Sequence, residues 1–445
     1  MRAGSSRIEI TPPAGLPMGG YLVRSERAEG VHDPLFARAL VLDDGQERVA
    51  IVAADLTGID PSQAAAVRRR VEQEVGIPAS HTLVAVSHTH SAPLVASRRV
   101  NAPDLPYAES VQDKLAAAVR EAAEGLRPAR VGAGRAKLYL GVNRREPTPD
   151  GRIVIGWNPA GYASPYADIL VAAEEGGGPL GILFTYGAHP VVLGPENLEI
   201  SGDYPGCAER TVEANFGGTA VALFALGFAG NVNVKHDKQD FHEVEAIGTV
   251  LARAVLEEMK GIRLERDALL GARSVRVALP LEPPPPPGEA ERILFAERER
   301  LSSVLGRGED KAEINRRRMM VEWASELVEL AGRGATDHFA DLEIQLITIG
   351  RTALVALSAE VFAEYAKMVR GLSPFEHTFP ISVANGSIGY IPTAAAFDQG
   401  GYEVEIAPRH YGALRLRAGA ETIVHEALAG LLGVTAAAGG VPSLP

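Results

Sequence analysis

The sequence predicts an α/β fold of mixed β-sheets flanked by helices, with the active site at the C-terminal ends of strands and a helical insertion in the second half. Three observations carry this. A strand, a capped helix and a second apolar strand follow one another between residues 48 and 88. Later apolar runs stop abruptly at His, Glu or glycine-rich polar segments. A run of prolines from Pro283 to Pro287 then separates this pattern from a charged stretch of helical periodicity.

Taken in order, "FARALVLDDGQERVAIVAADL" reads as two strands around Asp44-Gly45, a dipeptide suited to the positive φ of a tight hairpin. In "DPSQAAAVRRRVEQEVG", Asp60 is the N-cap, Pro61 opens the helix and Gly76 ends it. The next strand is "HTLVAVSH", and a strand-helix-strand crossover makes the two strands parallel. "YADILVAAEEGGGPLGILFTYGAHP" predicts a hairpin that empties into His189. A helix follows with Asp203 near its start, then the strand "TAVALFAL" and the glycine-rich "GFAGNVN".

The prolines predict an extended spacer. Glu289 to about Leu330 predicts two helices broken at "GRGED", read as a lid, a brace or an oligomer contact. "LEIQLITIGRTALVALSAE" predicts two strands turning at Gly350 and emptying into Glu360. "GSIGYIPTAAAFDQGGYEVEIAPRHYG" reads as a long loop, and the last helix runs from about Ala420 to Leu432. The expected organisation is a catalytic core in two parts, 1–280 and 336–445, around an insertion at 281–335.

Composition excludes several classes. With 445 residues, 46% of them hydrophobic, the chain is long enough to bury one large or two medium cores. A net charge of -12 argues against nucleic acid as a partner. Cys207 is the only cysteine, which rules out an internal disulfide and a thiolate zinc site. No window reaches the ~18 uninterrupted apolar residues of a spanning helix, so no stable membrane insertion is expected. The N-terminus carries no secretory leader pattern, and the expected location is cytoplasmic.

Three separate strands thus end in metal-ligand residue types, His88, His189 and Glu360. Two histidines and a carboxylate, with a position open to water, make a common catalytic zinc set. In "VAVSHTHSAP", His88 and His90 are two apart, so on an extended chain both rings project from one face, which suits a ligand beside a proton carrier. On these residues alone, three unrelated core or turn positions are the preferred reading.

"SHTHSAP", "NRREP", "FTYGAHPVVLGPENLEISGDYPG", "GFAGNVN" and "GYIPTAAAFDQGGYEVEIA", in this order and spacing, resemble the N-terminal catalytic domain of the neutral/alkaline non-lysosomal ceramidases. The likeness runs from "RIEITPPAGLPMGGY" to the last helix. It implies one zinc ion (Zn2+) held by His88, His189, Glu360 and Tyr402, the last of which the residue pattern alone leaves as a loop tyrosine. It also implies His90 as proton carrier, Arg144 or its neighbour Arg145 as a pocket cation beside Asn143, and Tyr411 as a hydrogen-bond donor to the reacting carbonyl. Asp55 and Asp203 are expected as partners of the ligand imidazoles, and Glu403 reads as surface charge.

The implied reaction is cleavage of a C–N amide bond in a small-molecule N-acyl substrate by zinc-activated water. The segment "GFAGNVNVKHD" lacks the serine that ceramidases typically carry there. The chain also ends at Pro445 without an immunoglobulin-like domain, so the expectation is a short form acting on another amide or an ester. A zinc esterase or lactonase, and a non-catalytic binding protein on the same fold, are the alternatives. A homo-oligomer is compatible with the sequence but not specified by it.

Overall fold

The computed structural model describes residues 1–21, 24, 26–96, 102–334, 337–411 and 414–433. Residue 335, the expected end of the insertion, and the last twelve residues lie outside the described set.

The larger sheet has eight strands in the order Val221–Leu226, Pro179–Tyr186, Tyr166–Glu174, Arg127–Lys137, Arg2–Glu9, Phe36–Asp43, Arg48–Ala54 and Thr82–Val86. The two outermost pairs, one at each edge, are parallel and every other pair is antiparallel. Each parallel pair is joined by a crossover helix, Pro61–Val75 at one edge and Asp203–Asn215 at the other. The mixed sheet follows from connection length, because short turns close antiparallel pairs whereas a helix is needed to return the chain parallel.

The signals for the first helix hold. Asp60 precedes it and its backbone N–H donates to the Gln63 side chain at 2.9 Å, Pro61 opens it, and Gly76 ends it at φ 74. Asp44-Gly45 turns the preceding hairpin with Gly45 at φ 92.

A second sheet of four strands, Leu270–Pro280, Phe339–Ile349, Thr352–Leu357 and His377–Ile381, covers one face of the first. One apolar cluster joins Leu40, Ile51, Leu83 and Leu183 of the large sheet to Ile347, Leu354 and Phe379 of the small one. The other face of the large sheet buries helices Pro61–Val75, Leu105–Glu124, Asp203–Asn215 and Phe241–Met259. The other face of the small sheet buries Glu364–Leu372 and Ala420–Leu432. The result is a helix-sheet-sheet-helix stack, which is why so many strands are apolar on both faces.

The ladder that joins the halves of the large sheet has only two residue pairs, Arg2↔Pro128 and Ala3↔Arg127. Its edge strand Val221–Leu226 packs back against Phe36–Asp43, Arg48–Ala54 and Thr82–Val86. Closing the sheet this way brings together the exits of Thr82–Val86 and Pro179–Tyr186, which lie far apart in strand order.

Two local expectations change. The prolines do run extended to Pro286, at φ -53 and ψ 148, but Pro287 is already the first residue of a helix, Pro287–Arg307. That position needs no N–H and accepts the fixed φ of proline. A second helix, Lys311–Gly332, completes a helical hairpin. The long glycine-punctuated loop is also more ordered than its composition suggests. It holds the strand Tyr390–Ile391, the helix Ala394–Gln399, a π-helical turn at Tyr402–Ile406 and a single helical turn at Ala407–His410. Among the described residues no helix is long and apolar enough to cross a membrane.

Candidate active site

Each histidine sits just beyond a strand whose hydrogen bonds have run out. Past Val86 the His88 N–H donates to the Leu56 carbonyl at 2.9 Å, and His88 itself adopts φ 66. A non-glycine residue in the left-handed region is strained, and such strain concentrates at functional sites. The chain is therefore not extended there, and the shared-face argument for His88 and His90 does not apply. The turn at His88, not strand alternation, brings the rings together, with centroids 5.0 Å apart and nearly perpendicular. His189 closes the group at 5.0 Å from His88 and 5.8 Å from His90.

The tautomers of two rings follow from their partners. His88 Nδ1 donates to the Thr57 carbonyl, and His189 Nδ1 donates to the carbonyls of Ala229, at 2.8 Å, and Val232, at 3.1 Å. Both Nε2 atoms are left with lone pairs. "GFAGNVN" supplies the two carbonyls under His189. A Cβ on its Gly230 would stand 2.6 Å from the Glu360 carbonyl oxygen, so only glycine lets the Glu360 strand pass so close.

Glu360 Oε2 lies 3.1 Å from His189 Nε2 and 3.6 Å from His88 Nε2. Burial, then the Arg144 charge, lowers His189 to about 4, and burial with the neighbouring imidazoles lowers His90 strongly. These rings are held neutral.

The donor set fits a divalent cation. Two imidazole lone pairs and a carboxylate face one another, acceptor against acceptor, an arrangement that a bound cation relieves. His88 Nε2 and both nitrogens of His90 are buried and lack a hydrogen-bond partner, a cost a native fold rarely leaves uncompensated. One ligand atom from each of His88, His90 and His189 can be chosen so that all three lie within 4.8 Å of one another. Neutral imidazole with carboxylate is borderline-hard and suits zinc.

Tyrosines form the opposite wall. The Tyr411 hydroxyl donates to Glu360 Oε1, while Tyr390 is paired with Glu360 across a short parallel ladder. Tyr390 stands edge-on to Tyr402 and Tyr411, at 6.0 and 6.2 Å. Tyr402 lines the same cleft as His88, His90, Glu360, Tyr390 and Tyr411. Burial raises the Tyr402 hydroxyl's pKa, and the Arg144 charge opposes this.

Neither arginine of "NRREP" lines the cleft. Arg144 Nε and Arg145 Nη1 each donate at 2.8 Å to a different oxygen of Glu403. Arg144 also donates to the Tyr390 hydroxyl, at 3.1 Å, and lies over the Tyr390 and Tyr402 rings at 5.6 and 5.8 Å. Arg144 thus sits one layer behind the tyrosines. Glu403 is no surface charge, being 2% exposed. Glu403 shares the stretch between Tyr402 and Tyr411 with Glu405, so the sequence did not mark it as the hub.

The aspartates do not partner the imidazoles. Asp55 accepts from the Phe36 N–H at 2.9 Å and from Arg38 at 2.8 Å, and Asp203 accepts from Tyr204 and Leu193 N–H groups at 2.6 and 3.1 Å. Backbone carbonyls took the imidazole role because each ring is packed under a turn rather than beside a side chain.

The sequence reading missed a clamp on His90 formed by "GGY" and Arg24. A Cβ on Gly20, at φ 93, would stand 2.5 Å from the His90 side chain. Tyr21 packs edge-on at 4.9 Å, and buried Arg24 donates to the carbonyls of Gly19, His90, Gly194 and Pro195.

The fold and its motifs have known counterparts. The neutral ceramidase from Pseudomonas aeruginosa superposes with a TM-score of 0.72 at 19% identity, covering 99% of this chain and 76% of that one. A structure of a ceramidase complexed with C2 gives 0.73 at 19%, covering 100% and 77%. At this identity the likeness establishes the fold. Residues 1–233 match the family model for neutral/alkaline non-lysosomal ceramidase, N-terminal, a span that includes His88, His90, Arg144 and His189. The chain belongs to the neutral/alkaline non-lysosomal ceramidase family.

Proposed function

We propose that this protein is a zinc-dependent hydrolase of the amide bond in a neutral N-acyl amine. The observation that carries the reading is that His189 Nε2 and His88 Nε2 lie 3.1 and 3.6 Å from the Glu360 carboxylate while backbone carbonyls take both Nδ1 protons, beside a His90 whose nitrogens have no hydrogen-bond partner. His88, His189, Glu360 and Tyr402 would hold the ion. When bound, zinc acidifies a coordinated water and polarises a carbonyl.

The remaining steps belong to the chain. Apolar Met18, Leu94, Val95 and Ala96 are among the described residues that line the cleft, which suits an apolar acyl group. The Tyr411 hydroxyl, which donates to Glu360 in the free site, would turn its proton to the carbonyl oxygen as charge develops there. His90, neutral and free of other partners, receives a proton and returns it to the leaving nitrogen. The products are a carboxylate and an amine. Ceramide, on which the structural counterparts' names bear, is one substrate of this class.

The test is to strip the protein with a chelator, reload it with zinc, and assay N-acyl amides, ceramide included, against matched O-acyl esters. Zinc-restored amide cleavage is expected, with both metal and activity lost in His88→Ala and His189→Ala. Preference for the esters would assign an esterase or lactonase, and a protein that neither takes up zinc nor turns over either set would refute the hydrolase.

A further inference from the structure

We propose that the helical hairpin is a brace for the active-site tyrosines, and that Trp323 is the positioning residue through which it acts on Tyr402 and Tyr411. The inference rests on the metal site proposed above, to which it adds the insertion.

The segment bearing the tyrosines needs outside support. Tyr402 opens a π-helical turn and Tyr411 follows a single helical turn, Ala407–His410, elements too short to hold themselves. Between the two tyrosines, Arg409 places its guanidinium 4.9 Å from the centre of the Trp323 ring on the second hairpin helix. A cation over an indole face at this distance is a directional contact.

The base of the hairpin grips the chain again beyond Tyr411. The Glu282 N–H donates to the Arg415 carbonyl at 2.7 Å, and the Arg417 N–H donates to the Pro280 carbonyl at 2.9 Å. Leu281, Leu327 and Leu414 share a small apolar cluster against which Trp323 packs. The hairpin therefore holds the tyrosine segment at two points, and among the described residues none of its side chains lines the cleft. That geometry describes a brace. A lid would cover the cleft instead, and an oligomer contact would have no reason to meet Arg409.

The chain has two tryptophans, Trp157 and Trp323. Trp157, on the strand Ile153–Asn158, packs edge-on against His236 and is 37% exposed, so Trp157→Phe leaves Trp323 as the only indole. In that protein, zinc is titrated into the chelator-stripped form, following Trp323 emission and, separately, heat of binding. Emission should shift with the calorimetric midpoint.

In parallel, Trp323→Ala should weaken zinc binding and lower kcat by about five- to tenfold, the range a lost cation-π contact allows, with KM unchanged. Trp323→Phe, which keeps a ring face for Arg409, should restore most of both. Zinc that binds without moving the emission, or a Trp323→Ala protein with native zinc affinity and kcat, overturns the brace and leaves the metal site standing. An absence of zinc binding overturns both.

Discussion

Replacing Glu403 by Gln tests whether the buried ion-pair hub governs the tyrosine wall. The glutamine keeps the volume but offers one acceptor where two guanidiniums each had their own, and its amide N–H2 meets the second donor head on. Arg144 and Arg145 are each 5% exposed, so their charges stay in a poorly screened interior. Removing one partner of a buried ion pair costs roughly 3–5 kcal/mol. Arg144 keeps Asn233 and Tyr390 as acceptors at 3.2 and 3.1 Å, and Arg145 keeps the Gly400 carbonyl at 2.8 Å, which argues for the lower end.

Taking about 3 kcal/mol, and an unfolding entropy near ~0.9 kcal/mol/K for 445 residues, the melting temperature should fall by about 3 °C. The kcat should fall about tenfold or more, because Arg144 stacks on both Tyr390 and Tyr402. Calorimetry and steady-state kinetics on the zinc-loaded protein measure the two. In a background already carrying Arg144→Met and Arg145→Met, Glu403→Gln should cost much less, since the charges it balances are gone. A melting shift below about 1 °C with native kcat would falsify the hub.

Three further outcomes are expected. His90→Ala should retain zinc and lose roughly 10²–10⁴ in kcat, the span of a removed general acid–base; metal loss instead, by elemental analysis, would make His90 a ligand. Gly20→Ala should lower both stability and kcat, because its methyl would press on His90, whereas Gly45→Ala, at the similar φ of 92 with nothing within 4 Å, should lower stability alone.

Burial, aided by Asp33, raises the Asp203 carboxyl to about 7, against an ordinary value of 3.8. Below pH 4 both folded and unfolded chains hold this proton. Between about pH 4 and 7 only the folded chain does, so the group's contribution falls as pH rises, by up to roughly 4 kcal/mol. Urea midpoints for the wild type against Asp203→Asn should diverge across that window, and parallel curves would refute the shift.

Much of this was legible in order along the chain. The Asp60 cap, Pro61, Gly76, the Asp44-Gly45 turn and the last helix are set by interactions within a few residues, and they fell where the pattern put them. Strand ends named His88, His189 and Glu360 because an apolar run that stops at a polar residue marks a sheet exit. Tyr402 and Tyr411 became visible only through family resemblance, since a phenol in a glycine-rich loop has no local signature.

What the sequence determined by itself, then, was the kinds of elements and the residue types at their ends, because capping, turn chemistry and apolar periodicity act over one or two turns of chain. The tertiary structure alone decided who meets whom. Sheet closure brought His88 and His189 together, carbonyls rather than Asp55 and Asp203 took the imidazole N–H groups, and Glu403 drew both arginines behind the tyrosines. Contacts across 31 to 259 residues depend on which buried polar group finds which partner once the core has formed, and no local pattern encodes that.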